Sequence, residues 1–599
     1  MVRPMSGGDM IVQVLADEGV DTVFGYSGGA ILPTYDAIFR YNEDCRVNGG
    51  REIQLVVPAS EQGAGFMAAG YARSTGKVGV FLVTSGPGAT NSVTPVRDCM
   101  SDSIPVVLIT GQVPRGALGS DAFQEAPVFN IMSMCAKHAF MVTNPEELEA
   151  TMRSAFEIAR SGRPGPVVVD VPKDVQNWNG VYHGDARLKL SGYDRRTNEI
   201  YHSRVSTEHA KAFFDALATS ERPLIYAGGG VINSGAASEL REFSSRFGIP
   251  VVTTLMGIGA MDTSTPLSFH MLGMHGAAYA NYAVEDCDFL IAVASRFDDR
   301  VAGVPKQFAP KSRFIAHIDI DAAEHGKVKA STWSHTGDAR AALTDLITAG
   351  SAFKKDFSAW QRHLAVMRKE HAHNYDRNSE LIQPQYMLEC LNEIVQGEAI
   401  VTTGVGQHQM WSAQYLDFKH PRSWLTSGSM GTMGFGLPAA IGAQLAHPDR
   451  LVINIDGDGS IRMNFGELET VTTYGLPVKV LVVNNSGDGM VRQWQRLYFA
   501  ERFCASDKSL HKKDFIKAAE ADGFEFAARV SAKADLSTVL RQFIEHKGPA
   551  FLEVVIDQNA CVFPMIGPGA GYKEMITGSF IPARDTAAVA AEAGKPDLF

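Results

Sequence analysis

Short apolar runs alternate with longer stretches of helical periodicity along the chain. KVGVFLVT at 77–84, PVVLIT at 105–110 and PVVVDV at 166–171 are followed by PLIYAG, PVVTTL, FLIAVA and FIAHIDI. Continuous runs of this kind suit strands buried on both faces, so the alternation predicts an α/β architecture of parallel sheets covered by helices. Two connectors interrupt it. The first, about 175–205, is polar without apolar periodicity; the second, about 350–385, is charged and helical in look with little to bury on one side. Cutting there predicts three doubly wound parallel-sheet domains at 1–185, 200–350 and 380–560. A Gly- and Pro-rich tail, 561–599, reads equally as a lid or as disordered chain. No internal sequence repeat relates the three domains.

Composition adds exclusions. The 599 residues are 45% hydrophobic and 20% charged, an ordinary globular balance in a chain too long for one core. No apolar run approaches the roughly 18 to 20 residues of a membrane helix, and the start has neither a signal-peptide core nor an Arg- and Ser-rich lead. A cytoplasmic protein, or an organellar one after processing, is expected, without membrane partners. The seven cysteines are scattered and never spaced as CxxC, so they are expected to be buried small side chains in a reducing compartment. A net charge of −11 without a basic stripe excludes nucleic acid as a partner but leaves room for a small anionic substrate.

The densest chemistry lies at 451–485, LVINIDGDGSIRMNFGELETVTTYGLPVKVLVVNN. An apolar strand ends in Gly457-Asp458-Gly459-Ser460, and after a helix-like stretch a second strand ends in Asn484-Asn485. Strand, turn, helix, strand brings Asp458 and Asn485 to neighbouring strand ends, where open α/β sheets bind ligands. A carboxylate, an amide oxygen and a backbone carbonyl are hard ligands suited to Mg²⁺, with phosphate oxygens completing its shell. The glycines allow close backbone approach to a diphosphate, and the helix start aims N–H groups at it. A second feature is Glu61 in PASEQGAGFMAAGYAR, at the opening of a Gly/Ala-rich helix. Alone, a Glu there reads as a capping or dipole residue.

GDG followed by NN at this spacing resembles the thiamine-diphosphate motif, and EQGAGFMAAGYAR resembles the segment that carries that family's conserved carboxyl. The resemblance extends through FGYSGGAILPTYDA, KVGVFLVTSGPGATN, SDAFQEAPV, MLGMHGAAYANYAV, SRFDDRV, TTGVGQHQMW, GTMGFGLPAAIGAQLA and MVRQWQ. Together these resemble acetohydroxyacid synthase (acetolactate synthase) catalytic subunits over most of the chain. The resemblance implies domains of the thiamine-diphosphate enzyme type and decarboxylation of pyruvate. The two-carbon fragment would then be joined to pyruvate or 2-oxobutanoate, giving 2-acetolactate or 2-aceto-2-hydroxybutanoate for branched-chain amino acids. By the same token Asp458, Asn485 and the carbonyl of Gly487 would ligate Mg²⁺. Thiamine diphosphate would be held by Gly29, Val405, Gly406, Gln407, His408, Met433, Asp458, Gly459, Ser460, Asn485, Gly489 and Met490. Glu61 would bond the far pyrimidine nitrogen, Met433 would bend the cofactor, and Gln124 would hydrogen-bond substrate oxygens.

Acceptor choice would rest on Gly29, Ala30, Phe123, Lys173, Met274, Arg300 and Trp494, with Arg300 as the carboxylate anchor. Arg300 also reads as a surface or flavin-positioning residue, and Trp494 as core packing. Gly228-Gly229-Gly230 is by pattern either a phosphate-binding turn or a tight strand-to-helix link. The family implies FAD held by Arg163, these glycines, Thr254, Leu255, His275, Arg296, Asp298, Asp319 and Asp338. It also implies a homodimer or homotetramer, with Glu61 facing Asp458 of the partner subunit, and a separate small regulatory subunit. The chain departs from the family pattern at Ser27, Ser60, Ser429-Met430 and Ser486-Gly487-Asp488. The rival reading is a flavin-containing pyruvate oxidase or decarboxylase on the same scaffold.

Overall fold

The computed structural model describes residues 3–584. Three six-stranded parallel sheets follow one another, built from strands between Thr22 and Pro172, Pro223 and Thr336, and Ile400 and Val555. The core strands Gly79–Val83, Val106–Gln112, Val167–Pro172 and Val452–Gly457 are buried along their whole length, which explains their unbroken apolar runs. Numbering strands along the chain within each sheet, the first and third sheets share the order 2-1-3-4-6-5, whereas the central sheet is 3-2-1-4-5-6. Two domains are therefore topological copies although no sequence repeat marks them. The central order is that of dinucleotide-binding folds.

The copies meet directly. Helix Glu61–Thr75 of the first domain lies along helix Gly436–Ala446 of the third. A Cβ on Gly70 would stand 2.2 Å from the Ala439 carbonyl oxygen, and one on Gly442 2.0 Å from that of Met67. Only glycine permits so close a crossing, and the helices share one core cluster with Phe66, Met67, Phe435 and Leu437. Beside them Arg73, fully buried, pairs with Asp98 and Asp102 at 2.9 Å each. Those carboxylates also accept from the third domain: Asp98 from Ser427 and Thr432, Asp102 from the backbone of Gly428 and Ser429.

The connectors are more structured than their composition suggests. Within the first, Asn179–Tyr182 pairs antiparallel with Arg3–Ser6, and helix Ser191–Tyr201 buries nothing. Helix Ser358–Glu370 in the second buries Trp360, Leu364 and Met367 in the central domain, so the expectation of little to bury is corrected. Residues 561–584 are neither loose nor a free lid. They strap the central domain, sinking Ile566, Tyr572, Met575 and Ile581 into its core. The Ile566 N–H donates to the Met274 carbonyl at 3.0 Å and Tyr572 Oη to that of Val301 at 2.6 Å. Residues 585–599 of the expected tail lie outside the described residues. The cysteines form no disulfide; Cys45, Cys99, Cys287 and Cys390 are buried as expected, but Cys504 is exposed. Among the described residues no helix is long and apolar enough to cross a membrane.

Candidate active site

In the third sheet, strands Val452–Gly457 and Lys479–Asn484 pair in parallel, with Gly457 beside Val483. Their ends deliver Asp458 and Asn485, both buried. The Asn485 side-chain oxygen lies 2.8 Å from the Gly487 carbonyl oxygen and 3.2 Å from Asp458 Oδ1. The Asp458 carboxyl, the Asn485 side-chain amide and the Gly487 carbonyl thus converge on one point. Ligand oxygens around Mg²⁺ at 2.0–2.1 Å stand about 3 Å apart along an octahedral edge, so the spacing fits that ion. Burial pushes Asp458 up to about 7 despite the nearby Arg462 and Lys508, because desolvation disfavours the charged form. The unusual loop 486–488 is closed from outside: the Asp488 N–H donates to the Ser506 carbonyl at 2.8 Å, and Asp488 is ion-paired with Lys508.

The surrounding turns fit a diphosphate. Helices Gln407–Tyr415 and Gly489–Tyr498 both start at this edge, placing Val405, Gly406, Gln407, His408, Gly489 and Met490 there. His408 is buried and lowered to about 3, so its ring is neutral. A Cβ on Gly459 would stand 2.2 Å from Asp488 Oδ1, so a side chain there would have to displace the Asp488 carboxylate. The Ser460 hydroxyl is an internal hub, accepting from the Val405 and Gly434 N–H groups at 3.3 and 3.0 Å. Half-buried Met433 precedes helix Gly436–Ala446.

The first sheet presents a different face. Glu61 opens its helix half-buried, with Oε2 accepting from Asn91 Nδ2 at 3.0 Å. Ser60 caps that helix, accepting from the Gly63 N–H at 3.1 Å, which gives this departure from the family pattern a local role. Gly29 is exposed and Ala30 half-buried after strand Thr22–Tyr26. Gln124 has φ +59°, a conformation that costs a non-glycine residue energy and clusters at functional sites. Its neighbour Phe123 is 89% exposed. Lys173 starts a short helix, half-buried. Tyr26, Leu32, Phe39, Val57 and Phe129 are also exposed in this domain.

A cavity of about 890 Å³ opens where the three domains meet, with Ser101–Ser103 and Arg163 of the first domain in its wall, within the roughly 300–1,000 Å³ range of small-molecule sites. Its walls include Arg163, Gly228, Gly229, Gly230, Thr254, Leu255, His275, Arg296, Asp298, Asp319 and Asp338, together with Met274, Arg300, Trp494, Val405, Gly406 and Met490. Gly29, Ala30, Glu61, Phe123, Gln124 and Lys173 are not among them. The cavity sits at the central sheet's topological switch, where strands Pro223–Ala227 and Phe289–Val293 are neighbours.

Both readings of the triple glycine meet here. A Cβ on Gly228 would stand 2.3 Å from the Ala294 carbonyl oxygen and one on Gly230 2.7 Å from Ala294 Cβ, so close packing alone demands them. Several wall residues are held from behind: Arg163 by Ser103 and Glu324 at 2.8 and 3.0 Å, and Arg296 by Ser429 at 2.8 Å. Asp338 and Thr254 accept from the N–H groups of Ala341 and Gly257, each at 3.0 Å. Burial lowers His275 to about 4, and its neutral ring donates from Nδ1 to the Pro564 carbonyl at 3.2 Å. Burial raises Asp319 to about 6. Arg300 is exposed, 3.8 Å from Met274 Sδ. Four arginines (Arg160, Arg163, Arg296 and Arg300), several carboxylates and the apolar Leu255 and Met274 give the cavity a mixed polar and apolar lining.

Sequence reasoning missed Asn91, the Arg73 cluster and Glu467. Glu467 is buried in the third domain, accepts from the Ala59 N–H at 3.1 Å, and is raised by burial to about 7. Its partner is 408 positions away in the chain, and a Glu in a first helical turn carries no signal of that contact.

Residues 5–134, 210–346 and 404–554 match the models of the thiamine pyrophosphate enzyme N-terminal TPP binding domain, central domain and C-terminal TPP binding domain. The chain is 43% identical over 585 residues to "Acetolactate synthase 2, chloroplastic" of Nicotiana tabacum, covering 96% of this chain and 86% of that protein. It is also 43% identical over 585 residues to "Acetolactate synthase, chloroplastic" of Arabidopsis thaliana, covering 96% and 85%. Against "Acetolactate synthase catalytic subunit, mitochondrial" of Saccharomyces cerevisiae, identity is 43% over 588 residues, covering 96% and 84%.

Proposed function

The chain belongs to the acetolactate synthases, a family of thiamine pyrophosphate enzymes, and from that premise we propose how its own residues divide the work. It is a thiamine-diphosphate-dependent acetolactate synthase: pyruvate loses CO₂, and the two-carbon fragment is joined to pyruvate or 2-oxobutanoate. The oxidase or decarboxylase reading is not favoured. Thiamine diphosphate, when bound, supplies an acidic thiazolium carbon that adds to a 2-oxo acid and takes up the electron pair left by CO₂.

In this proposal Asp458, Asn485 and the Gly487 carbonyl hold Mg²⁺, and the helix starts at Gln407 and Gly489 point N–H groups at the diphosphate. The single observation that carries this reading is the convergence of the Asp458 carboxyl, the Asn485 side-chain amide and the Gly487 carbonyl. Glu61 holds a proton at the far pyrimidine nitrogen, Met433 supports the folded cofactor, and Gln124 donates to the oxygen where negative charge develops. Arg300 binds the acceptor's carboxylate; its nearest acid, Asp299, is 3.7 Å away, leaving its planar face for substrate. Trp494 and Met274 wall the acceptor's alkyl group, where one methylene is worth about 1–3 kcal/mol. FAD occupies the central cavity, supported by the switch-point location and mixed lining.

Because Glu61, Gln124 and Phe123 stand outside that cavity, in a domain that leaves several large apolar side chains exposed, we assign them to the site of a second copy, in a homodimer or larger homo-oligomer. A separate small regulatory subunit is in keeping with the yeast relative's name, "catalytic subunit". The names of the relatives are chloroplastic or mitochondrial; for this chain we infer a reducing compartment, organellar or cytoplasmic. The test of the reaction is product identity. Purified chain with pyruvate, thiamine diphosphate, Mg²⁺ and FAD should yield acetolactate, and acetate or acetaldehyde alone would overturn it.

A further inference from the structure

We propose that Gln407 and Gln493 form an amide relay, anchored in the strap at Ala560 and Val562, that forces Asn485 to present oxygen rather than nitrogen to the metal site. The argument is one of hydrogen-bond polarity and starts where polarity is unambiguous. A peptide N–H can only donate and a peptide carbonyl only accept. The Val562 N–H donates to Gln493 Oε1 at 2.8 Å, and Gln493 Nε2 donates to the Val562 carbonyl at 2.9 Å. That reciprocal pair fixes which end of the Gln493 amide is oxygen. Gln493 Oε1 then receives Gln407 Nε2 at 2.9 Å, and the same nitrogen donates to the Ala560 carbonyl at 3.0 Å. Gln407 is thereby fixed as well, with Oε1 outward. An amide oxygen can only accept, so Asn485 must give it Nδ2, at 3.0 Å. The Asn485 oxygen is left aimed at Asp458 Oδ1 and the Gly487 carbonyl.

The alternative arrangement shows what the relay prevents. Turned over, the Asn485 amide would donate to Gly487 at 2.8 Å and to Asp458 at 3.2 Å. The site would then satisfy itself without a cation. It would also set the Asn485 and Gln407 oxygens against each other at 3.0 Å, and Gln407 cannot turn in response without breaking its bonds to Gln493 and Ala560. Gln407, Gln493 and Asn485 are all buried, so water cannot relax the conflict cheaply. Gly489 belongs to the device: a Cβ there would stand 2.0 Å from Gln407 Oε1 and 2.3 Å from Asn485 Nδ2.

Gln407 and Gln493 are thus positioning residues acting through Asn485, and the inference rests on the metal site proposed above. The test reads metal binding rather than turnover: metal-free full-length chain with thiamine diphosphate is titrated with Mn²⁺, and bound ion is counted by electron paramagnetic resonance. Gln407→Leu cuts the relay and should raise the Mn²⁺ dissociation constant about 10- to 100-fold, the usual cost of losing a partner that orients a ligand. Gln407→Glu should bind close to the native level, because a protonated carboxyl offers Asn485 the same acceptor and Gln493 a donor, giving up the hydrogen bond to the Ala560 carbonyl and keeping the relay's polarity. Gly489→Ala supplies a second cut should the leucine variant misfold, and it should weaken Mn²⁺ binding likewise. Native binding in both cut variants would overturn the relay, as would equal loss in Gln407→Leu and Gln407→Glu. Absence of Mn²⁺ binding by the unaltered chain would instead remove the metal site and the relay together.

Discussion

The first and third domains share one strand order, yet their functional edges are finished to different degrees. At the third, Asp458 and Asn485 are buried, their turns are braced by Ser460, and an outer segment closes the loop through Lys508. At the first, Gly29 and Phe123 are exposed, Gln124 holds a left-handed backbone, and the Glu61 carboxylate accepts from Asn91. On the reading proposed above, one edge is complete within a chain and the other awaits a second copy. A duplicated scaffold can therefore yield one rigid anchor for a cofactor and one surface that assembles around it.

The sharpest way to break that contrast is subunit mixing. Glu61→Gln and Asp458→Ala chains should each be nearly inactive, Glu61→Gln losing about 10²- to 10⁴-fold of turnover as expected for a lost proton-transfer group. Unfolded together and refolded, they should regain activity, because hybrid assemblies hold one site with both carboxyls intact. A mixture as inactive as its components would place both ends of the site in the same chain.

The next largest effect concerns the clamp between the two copies. Arg73→Met leaves Asp98 and Asp102 buried without their cation, at a cost of about 3–5 kcal/mol, read as a lower midpoint of chemical denaturation. An unchanged midpoint would mean that the helix crossing alone holds the domains together.

The smallest effect is a slope with pH. Burial raises Asp170, in the first sheet, to about 7 despite hydrogen bonds from Thr110 and Gln112. The folded chain therefore binds a proton that the unfolded chain has released between pH 4 and 7. Its stability contribution is fully present at low pH and lost as pH rises through the folded value, by at most about 1.4 kcal/mol per pH unit. Asp170→Asn should flatten the stability profile over that window; an unaltered slope would show that Asp170 does not titrate there.

Much of this was legible in the chain. The metal end could be read because hard ligands at neighbouring strand ends must come from a short strand–turn–helix–strand unit, so Asp458 and Asn485 lie close in sequence. The flavin-site residues implied by family resemblance all line one cavity. What could not be read depends on contacts between distant segments. Gln493 meets Val562 across 69 positions and Asp98 meets Ser427 across 329, and nothing local to either residue announces the other. The twin strand orders escaped notice because topology needs only apolar runs in the right succession, which many unrelated sequences supply. The glycines and prolines of residues 561–584 hide the four anchoring side chains Ile566, Tyr572, Met575 and Ile581, so the segment's composition suggests a lid or disorder rather than a strap.

That strap carries a liability for evolution. On the readings proposed above, Val562 would steady the grip on the ion; through Ile566 the strap props the carbonyl of Met274, which lines the cavity proposed to receive the acceptor. A lineage adjusting which 2-oxo acid it prefers by reshaping this stretch would disturb metal retention at the same time, so drift toward a new acceptor should leave compensating changes near residues 560–566.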